Sequence, residues 1–398
     1  MNKIKKTIYV IKTFWLIVGI TFALFAFLES LLSFMYFMNS RLNPESSSIV
    51  DSRINADVYK NTTEISSYFK EFNESNIEQW HPYTYWRRQP FHGQLINIDN
   101  FGRRFTTNYP YPLSKSKKII KIFVFGGSTV WGTGVSDSST IPSLLNIELY
   151  KKGINSQVTN FGESGYVSTQ ELIMLMQELK SGNMPDFVIF YDGINDIFSA
   201  YQQRIAGITI NEFNRVKEFN ITDSGKSREL YMIALKEFIN SLHTVKTTKY
   251  FLRKLHILTT VGDIKESYSL ENNKNLIDDL TNNYKNNISI ANNLAKLYGF
   301  KCWFYWQPTL FDKNIKTNYE NKIFLGQDTV MIKFYKNVYS LITDNNKKSM
   351  FPDNFRNLSL IFRNINEPLY IDWMHLGVSG NQIVAKIISR DIINLFKY

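Results

Sequence analysis

The chain has 398 residues, with 46 Lys and Arg against 35 Asp and Glu, for a formal net charge of +11. A single cysteine, Cys302, excludes an intramolecular disulfide and a cysteine-based metal cluster. The basic residues are scattered and interleaved with acidic ones, so the excess reads as a solvated surface with a membrane-proximal bias, not as a nucleic-acid footprint.

The first element is apolar. After MNKIKK and Lys12 the sequence runs to Ser40 with Glu29 as its only charge. At about 1.5 Å per residue, Tyr9 to Glu29 already covers the roughly 30 Å of a hydrocarbon core. Glu29 then falls near the far interface, and Trp15 lies one turn inside the near face. A cleaved signal peptide has an apolar core of only about 7–15 residues with a small-residue site after it. This run is longer and lacks such a site, which predicts an uncleaved anchor through residues 9–38. The lysines before it stay cytoplasmic, placing the chain beyond residue 40 in the periplasm or outside the cell.

Residues 41–115 read as a stalk and N-terminal extension. The part up to residue 80 is polar, with short helical pieces. Trp80 to Thr106 is dense in aromatics and arginines, and Asn100-Phe101-Gly102 has the character of a hairpin turn. Flat aromatics there suit a sugar or lipid cleft, but packing of the extension against the core is the better reading. From Lys118 strands and helices alternate. Strands are predicted at Lys118–Phe125, Gln157–Phe161, Asp186–Tyr191 and Lys301–Trp306, and helices at Ile141–Lys152, Thr169–Leu179, Leu276–Tyr298 and Val378–Phe396. The pattern predicts an α/β domain over residues 116–398, a three-layer α/β/α sandwich around a parallel sheet. Insertions at about 198–275 and 309–348 are left to set substrate choice.

Phe123–Val135 (FVFGGSTVWGTGV) joins the first strand to its helix, where α/β enzymes place chemistry. A nucleotide P-loop needs Lys after its last glycine, and Thr133 follows Gly132. A dinucleotide fingerprint starting at Gly132 breaks at Asp137. A G-x-S-x-G elbow breaks at Val130. What remains is Ser128, exposed after a strand at the start of a helix. A serine used as a nucleophile needs a base, a group that orients the base, and donors for an oxyanion. The other strand ends offer Asn160 to Tyr166 and Asp192 to Asp196, and Asp372 to Leu376 precedes the last helix. The three-residue spacing of Asp372 and His375 lets one turn hold carboxylate against imidazole.

Four blocks in order, GGSTVWG (126–132), NFGESGY (160–166), GIND (193–196) and DWMHL (372–376), resemble those of the SGNH (GDSL-type) hydrolases. The resemblance covers residue 118 to the C-terminus. It implies Ser128 as nucleophile, His375 as general base and Asp372 as the residue orienting it. It implies an oxyanion hole made of the N–H of Ser128, the N–H of Gly165 and the side-chain amide of Asn195. Gly162 competes with Gly165, which aligns with the family's later glycine. The family's aspartate before the serine is Gly127 here, similar to a GGS-type subgroup among membrane-anchored members. That leaves the loop to be braced some other way.

Plainer roles exist for each residue: a helix N-cap for Ser128, a turn for Asn195, and capping of the last helix for Asp372 and His375. The block context overrides them. Asp196 reads as structural, capping the segment after it. His81, His92, His243 and His256 show no ligand spacing, so no metal or other cofactor is expected. Lys246, Lys249, Arg253 and Lys254, with Tyr250, Phe251 and Leu252, read as a solvated helical face in preference to an anionic-lipid contact. The expected function is a membrane-anchored serine esterase or O-acyltransferase. Its substrate would be an acylated small molecule or glycan, such as a cell-envelope ester outside the cytoplasm. The rival is a non-catalytic envelope protein that binds glycan or scaffolds an assembly, against which the intact set of Ser128, Asn195, Asp372 and His375 argues.

Overall fold

A computed structural model describes residues 2–42, 51–60, 62–108, 118–223, 227–254, 273–343 and 351–396. The chain forms two compact units, one of residues 1–51 with 214–268, the other of residues 52–213 with 269–398.

The larger unit is built on five parallel strands: β5 (Ile120–Gly126), β6 (Ser156–Asn160), β7 (Phe187–Asp192), β8 (Lys301–Trp306) and β9 (Phe355–Asn357), in the order β6-β5-β7-β8-β9. Side chains alternate between the faces of a strand, so a strand covered on both sides must be apolar at both parities. In β5, Phe123 and Phe125 enter a core built with the helices Ser168–Lys180, Ile194–Gln203, Lys274–Tyr298 and Thr329–Thr343. Ile122 and Val124 enter the opposite core, under Ile141–Lys151 and Val378–Phe396. Phe125 stacks on Phe190 (5.3 Å) and Phe190 on Phe304 (5.1 Å), an aromatic ladder across three neighbouring strands. This is the three-layer α/β/α sandwich read from the sequence.

The chain lays β6 on one side of β5 and β7 on the other, so the crevice at the carboxyl end of β5 is the topological switch point, where such sheets bind ligands. Ser128 follows β5 by two residues and sits in it. The helix starting at Ser128 is, however, a single turn, Ser128–Trp131, and the long helix begins only at Ile141. The apolar spacing identified the long helix and passed over the short one, which lies between Gly127 and Gly132.

The N-terminal extension wraps onto this crevice. It contains the helix Ile65–Ser75 and two antiparallel ribbons, β1 (Glu78–His81) with β2 (Tyr85–Arg88) and β3 (Phe91–His92) with β4 (Asn97–Ile98). Tyr59, Tyr68, Phe69, Phe72, Ile96 and Ile98 form a third apolar cluster that takes in Trp131 and Ile371, one from the Ser128 turn and one from the loop before the last helix. Asp99 receives the N–H groups of Phe101 and Arg103 and, on its carbonyl, that of Gly102, closing the turn expected at Asn100–Gly102.

Within the insertion at 309–348 the chain forms the helices Asn318–Leu325 and Thr329–Thr343; residues 344–350 lie outside the described residues. The smaller unit holds the N-terminal helix Asn2–Leu42 and, from the insertion at 198–275, the helices Ser227–Ser241 and His243–Lys254. Residues 43–50 of the stalk and 255–272 of that insertion, His256 among them, lie outside the described residues. Ile4–Met38 of the first helix is long and apolar enough to cross a membrane, with a mean hydropathy of 2.1.

Candidate active site

Ser128, His375 and Asp372 come together from opposite ends of the domain sequence. The Oγ of Ser128 lies 2.6 Å from Nε2 of His375, and Nδ1 of the same ring lies 2.6 Å from Oδ2 of Asp372. Asp372 also accepts the backbone N–H groups of Met374 (3.0 Å) and His375 (2.8 Å) through Oδ1, which folds the loop back on itself. Burial alone would raise the Asp372 carboxyl. The charge of His375, the ring hydrogen bond and these two N–H groups outweigh it and hold the carboxyl well below the usual carboxylate range. With Nδ1–H committed to Asp372, Nε2 is left as the lone-pair nitrogen facing the Ser128 hydroxyl.

The loop carrying Asp372 is fixed from several sides. Trp373 stacks on Phe311 at 5.3 Å and meets Tyr335 edge-on at 5.2 Å. Tyr319 donates to the carbonyl of Ile371, and Arg53 of the extension reaches Asp372 at 3.5 Å. Arg53 carries no signal in the sequence, because it sits in a polar stretch 319 residues away.

The plainer roles are not the ones adopted. Ser128 does not cap its helix, since Gly127 occupies the N-cap position. Asn195 is the second residue of the helix Ile194–Gln203 and not a turn residue. Its Nδ2 donates one N–H to the carbonyl of Tyr166 at 2.8 Å. Gly162 has its N–H on the Oδ1 of Asn160 (2.9 Å), whereas the N–H groups of Ser128 and Gly165 donate to no acceptor among the described residues. Gly165 has φ +76°, which a side-chain-bearing residue adopts only under strain, and it lies under Trp86 and Ile210.

Asp196 does brace structure, but not by capping its own helix. It accepts from the N–H and hydroxyl of Ser168 and so holds the start of the preceding helix, Ser168–Lys180. It belongs to a buried acidic group with Asp192 and Glu171 for which the sequence gives no sign. Burial, then mutual repulsion, raises Glu171 and Asp192; burial raises Asp196 against the Ser168 bonds. Tyr284 donates its hydroxyl to Asp192.

The brace for the Ser128 loop comes from the extension. Arg88 and Arg104 place their guanidinium carbons 3.9 and 4.2 Å from the centre of the Trp131 ring. Arg104 also bonds Asp137 and the carbonyls of Gly132 and Val135. Tyr59 donates to the carbonyl of Gly134, and Tyr68 receives that residue's N–H. Glu163, fully buried between Arg87 and Arg88, takes the N–H groups of Arg88 and Ser164 and ties block two to β2. Trp86, Arg87, Arg88 and Arg104 of the aromatic and arginine-rich segment are thus packed into the core as expected, whereas Trp80 and Tyr83 are exposed. Among the described residues no group of three or more His, Cys, Asp and Glu is placed to hold a metal ion.

A serine hydroxyl against an imidazole that is itself held by a carboxylate, at the carboxyl ends of a parallel sheet, is the arrangement that serine hydrolases use. The sequence model of the GDSL-like Lipase/Acylhydrolase family matches residues 122–388, and the chain belongs to that family. No curated protein sequence matches it. Similar solved structures include an acetyl xylan esterase (16% identity, covering 68% of this chain and 99% of that chain, TM-score 0.35). Another is a lipase/acylhydrolase from Enterococcus faecalis (14% identity, 69% and 95%, TM-score 0.35). A third is a catalytic mutant of an acetylxylan esterase from Geobacillus stearothermophilus (13% identity, 69% and 94%, TM-score 0.34).

Proposed function

We propose that the chain is a membrane-anchored serine esterase or O-acyltransferase that cleaves an acyl ester on a glycan or other small envelope molecule outside the cytoplasm. The observation that carries this reading is the unbroken row from Ser128 Oγ through the His375 ring to Asp372, each step 2.6 Å. In the proposed mechanism His375 Nε2 takes the Ser128 proton as Oγ adds to the ester carbonyl. Asp372 holds the ring and stabilises the imidazolium. The negative oxygen is received by the N–H groups of Ser128 and Gly165 and by the uncommitted N–H of Asn195. Collapse releases the alcohol, which takes the proton from His375, and leaves an acyl group on Ser128. Water or a sugar hydroxyl, deprotonated by His375, then attacks the acyl carbonyl and frees the serine.

The domain reading that goes with this is an anchor over residues 1–40, a stalk and extension over 41–115, and the hydrolase domain over 116–398. The apolar helix favours a membrane anchor, and the lysines before it favour a cytoplasmic N-terminus. The test is acyl release from 4-nitrophenyl acetate and from acetylated oligosaccharides by the full-length protein in detergent, with and without acceptor glycans. The reading predicts turnover that Ser128→Ala abolishes, with acylated acceptor appearing if transfer is the physiological reaction. Equal turnover by wild type and variant, or none from any ester with folded protein, refutes it.

A further inference from the structure

The only charge between Lys12 and Arg41 of the first helix is Glu29, and it is not left to solvent. Its carboxylate accepts the backbone N–H groups of His243 (2.7 Å) and Thr244 (2.9 Å) and the Thr244 hydroxyl (2.8 Å). These are the first amides of the helix His243–Lys254, so Glu29 caps that helix from outside, where the positive end of its dipole favours an anion. Ser33 and Tyr36, four and seven residues on and therefore on the same stripe, also meet His243: Ser33 Oγ at 3.0 Å from Nδ1, and the Tyr36 ring at 4.8 Å. The contact fixes where His243 stands along the first helix.

The two helices on either side of Leu242 carry apolar side chains that nothing among the described residues covers. On Ser227–Ser241, Tyr231, Leu235 and Phe238, with Met232 and Ile239 beside them, fall within an arc of about 120° at 100° per residue. All five are exposed, Tyr231 by 75% and Phe238 by 62%. On His243–Lys254, Tyr250 and Phe251 are exposed too, and the helix carries Lys246, Lys249, Arg253 and Lys254 with no acidic residue. An apolar stripe on one helix followed by a basic run on the next suits the boundary between headgroups and acyl chains. That is the level at which Tyr9–Glu29, as a span, puts Glu29.

We propose that the helices Ser227–Ser241 and His243–Lys254 form an interfacial arm that lies in the far leaflet of the bilayer crossed by the first helix. Its apolar stripe enters the acyl region, Lys246 and Lys249 meet anionic headgroups, and Glu29 sets its depth. The exposed stripe is apolar like the exposed side chains of the span, and the basic run of the next helix complements an anionic membrane. The sequence pattern alone favours a solvated face for the basic run; the cap on Glu29 is what ties it to the membrane level. This inference rests on the reading of residues 9–38 as a membrane span.

The test uses full-length protein in vesicles of phosphatidylethanolamine and phosphatidylglycerol, spin-labelled at Phe238→Cys or at Phe22→Cys. Cys302 is buried and leaves the introduced thiol as the reactive one. Both positions are exposed, so neither substitution opens a core. Collision with oxygen against a water-soluble nickel chelate reports depth. The proposal predicts both labels in lipid, with residue 238 about 5–10 Å below the headgroups. A label at 238 open to the chelate while that at 22 is in lipid overturns the arm alone. Both labels open to the chelate overturns the span and the arm with it. A label at 238 shielded from both reagents marks a protein occupant and overturns the proposal.

Discussion

The side-chain amide nitrogen of Asn195 lies against the α-carbon of Gly127, in the space that a Cβ on residue 127 would fill. Gly127 has φ −80° and ψ −154°, extended backbone open to any residue, so the glycine is required for the amide and not for the turn. Gly127→Ala should push the Asn195 amide out of place and lower kcat/KM by about 100-fold or more, the usual cost of one oxyanion donor. Asn195→Ala should cost as much, and the double variant little more than either, because both remove the same donor. Steady-state kinetics with thermal unfolding as a fold check tests this.

Asp372 and Arg53 should separate by magnitude. Asp372→Asn removes the acceptor that fixes the His375 tautomer and is expected to lower kcat by about 10⁴-fold. Arg53→Ala removes a partly exposed partner at 3.5 Å, worth about 1 kcal/mol or less, so kcat should fall by less than about tenfold. Comparable losses from the two would give Arg53 a larger part than the geometry supports.

Folding stability should respond to pH through two groups of opposite sign. The Asp372 carboxyl is depressed in the folded state, so its contribution is complete above the unfolded value of about 4 and is lost as pH falls toward the folded one. The carboxyls of Asp192, Asp196 and Glu171 are raised, first by burial, so between about 4 and their raised values the folded state binds more protons and stability falls as pH rises. Asp192→Asn should therefore stabilise the protein at pH 8 and flatten the alkaline decline, while retaining an acceptor for Tyr284. Urea unfolding across pH 2 to 9 measures both effects.

Glu163 is the countercharge for Arg87 and Arg88, all three side chains being 1% exposed or less. Glu163→Gln should destabilise by about 3–5 kcal/mol, because two buried guanidinium groups lose the carboxylate that both pair with. Arg87→Met on the same background should recover part of that loss. Chemical denaturation of the wild type and the two variants checks it.

The elements written in local patterns were legible, and those that depend on distant partners were not. Lys301–Trp306 is apolar between Gly299 and Pro308, and Val378–Phe396 comes after Gly377 with unbroken helical spacing; both stand where predicted. The strand Phe355–Asn357 has three residues and two polar side chains, and only its pairing with β8 makes it a strand. The four blocks were visible because each is a short loop whose residues act together. The braces were not visible: Tyr59 and Tyr68 stand in a polar stretch, and their partner, Gly134, lies more than 60 residues on. Glu29 read as a charge at the end of a span because its partners come 214 residues later.

The most direct measurement of the central claim is covalent labelling of the folded, full-length protein with a fluorophosphonate, combined with peptide mapping in the mass spectrometer. The account predicts one adduct, on Ser128, that does not form on thermally unfolded protein, is absent from Ser128→Ala and forms much more slowly in His375→Ala. Folded wild type that stays unlabelled, or that carries the adduct on another residue, would contradict it.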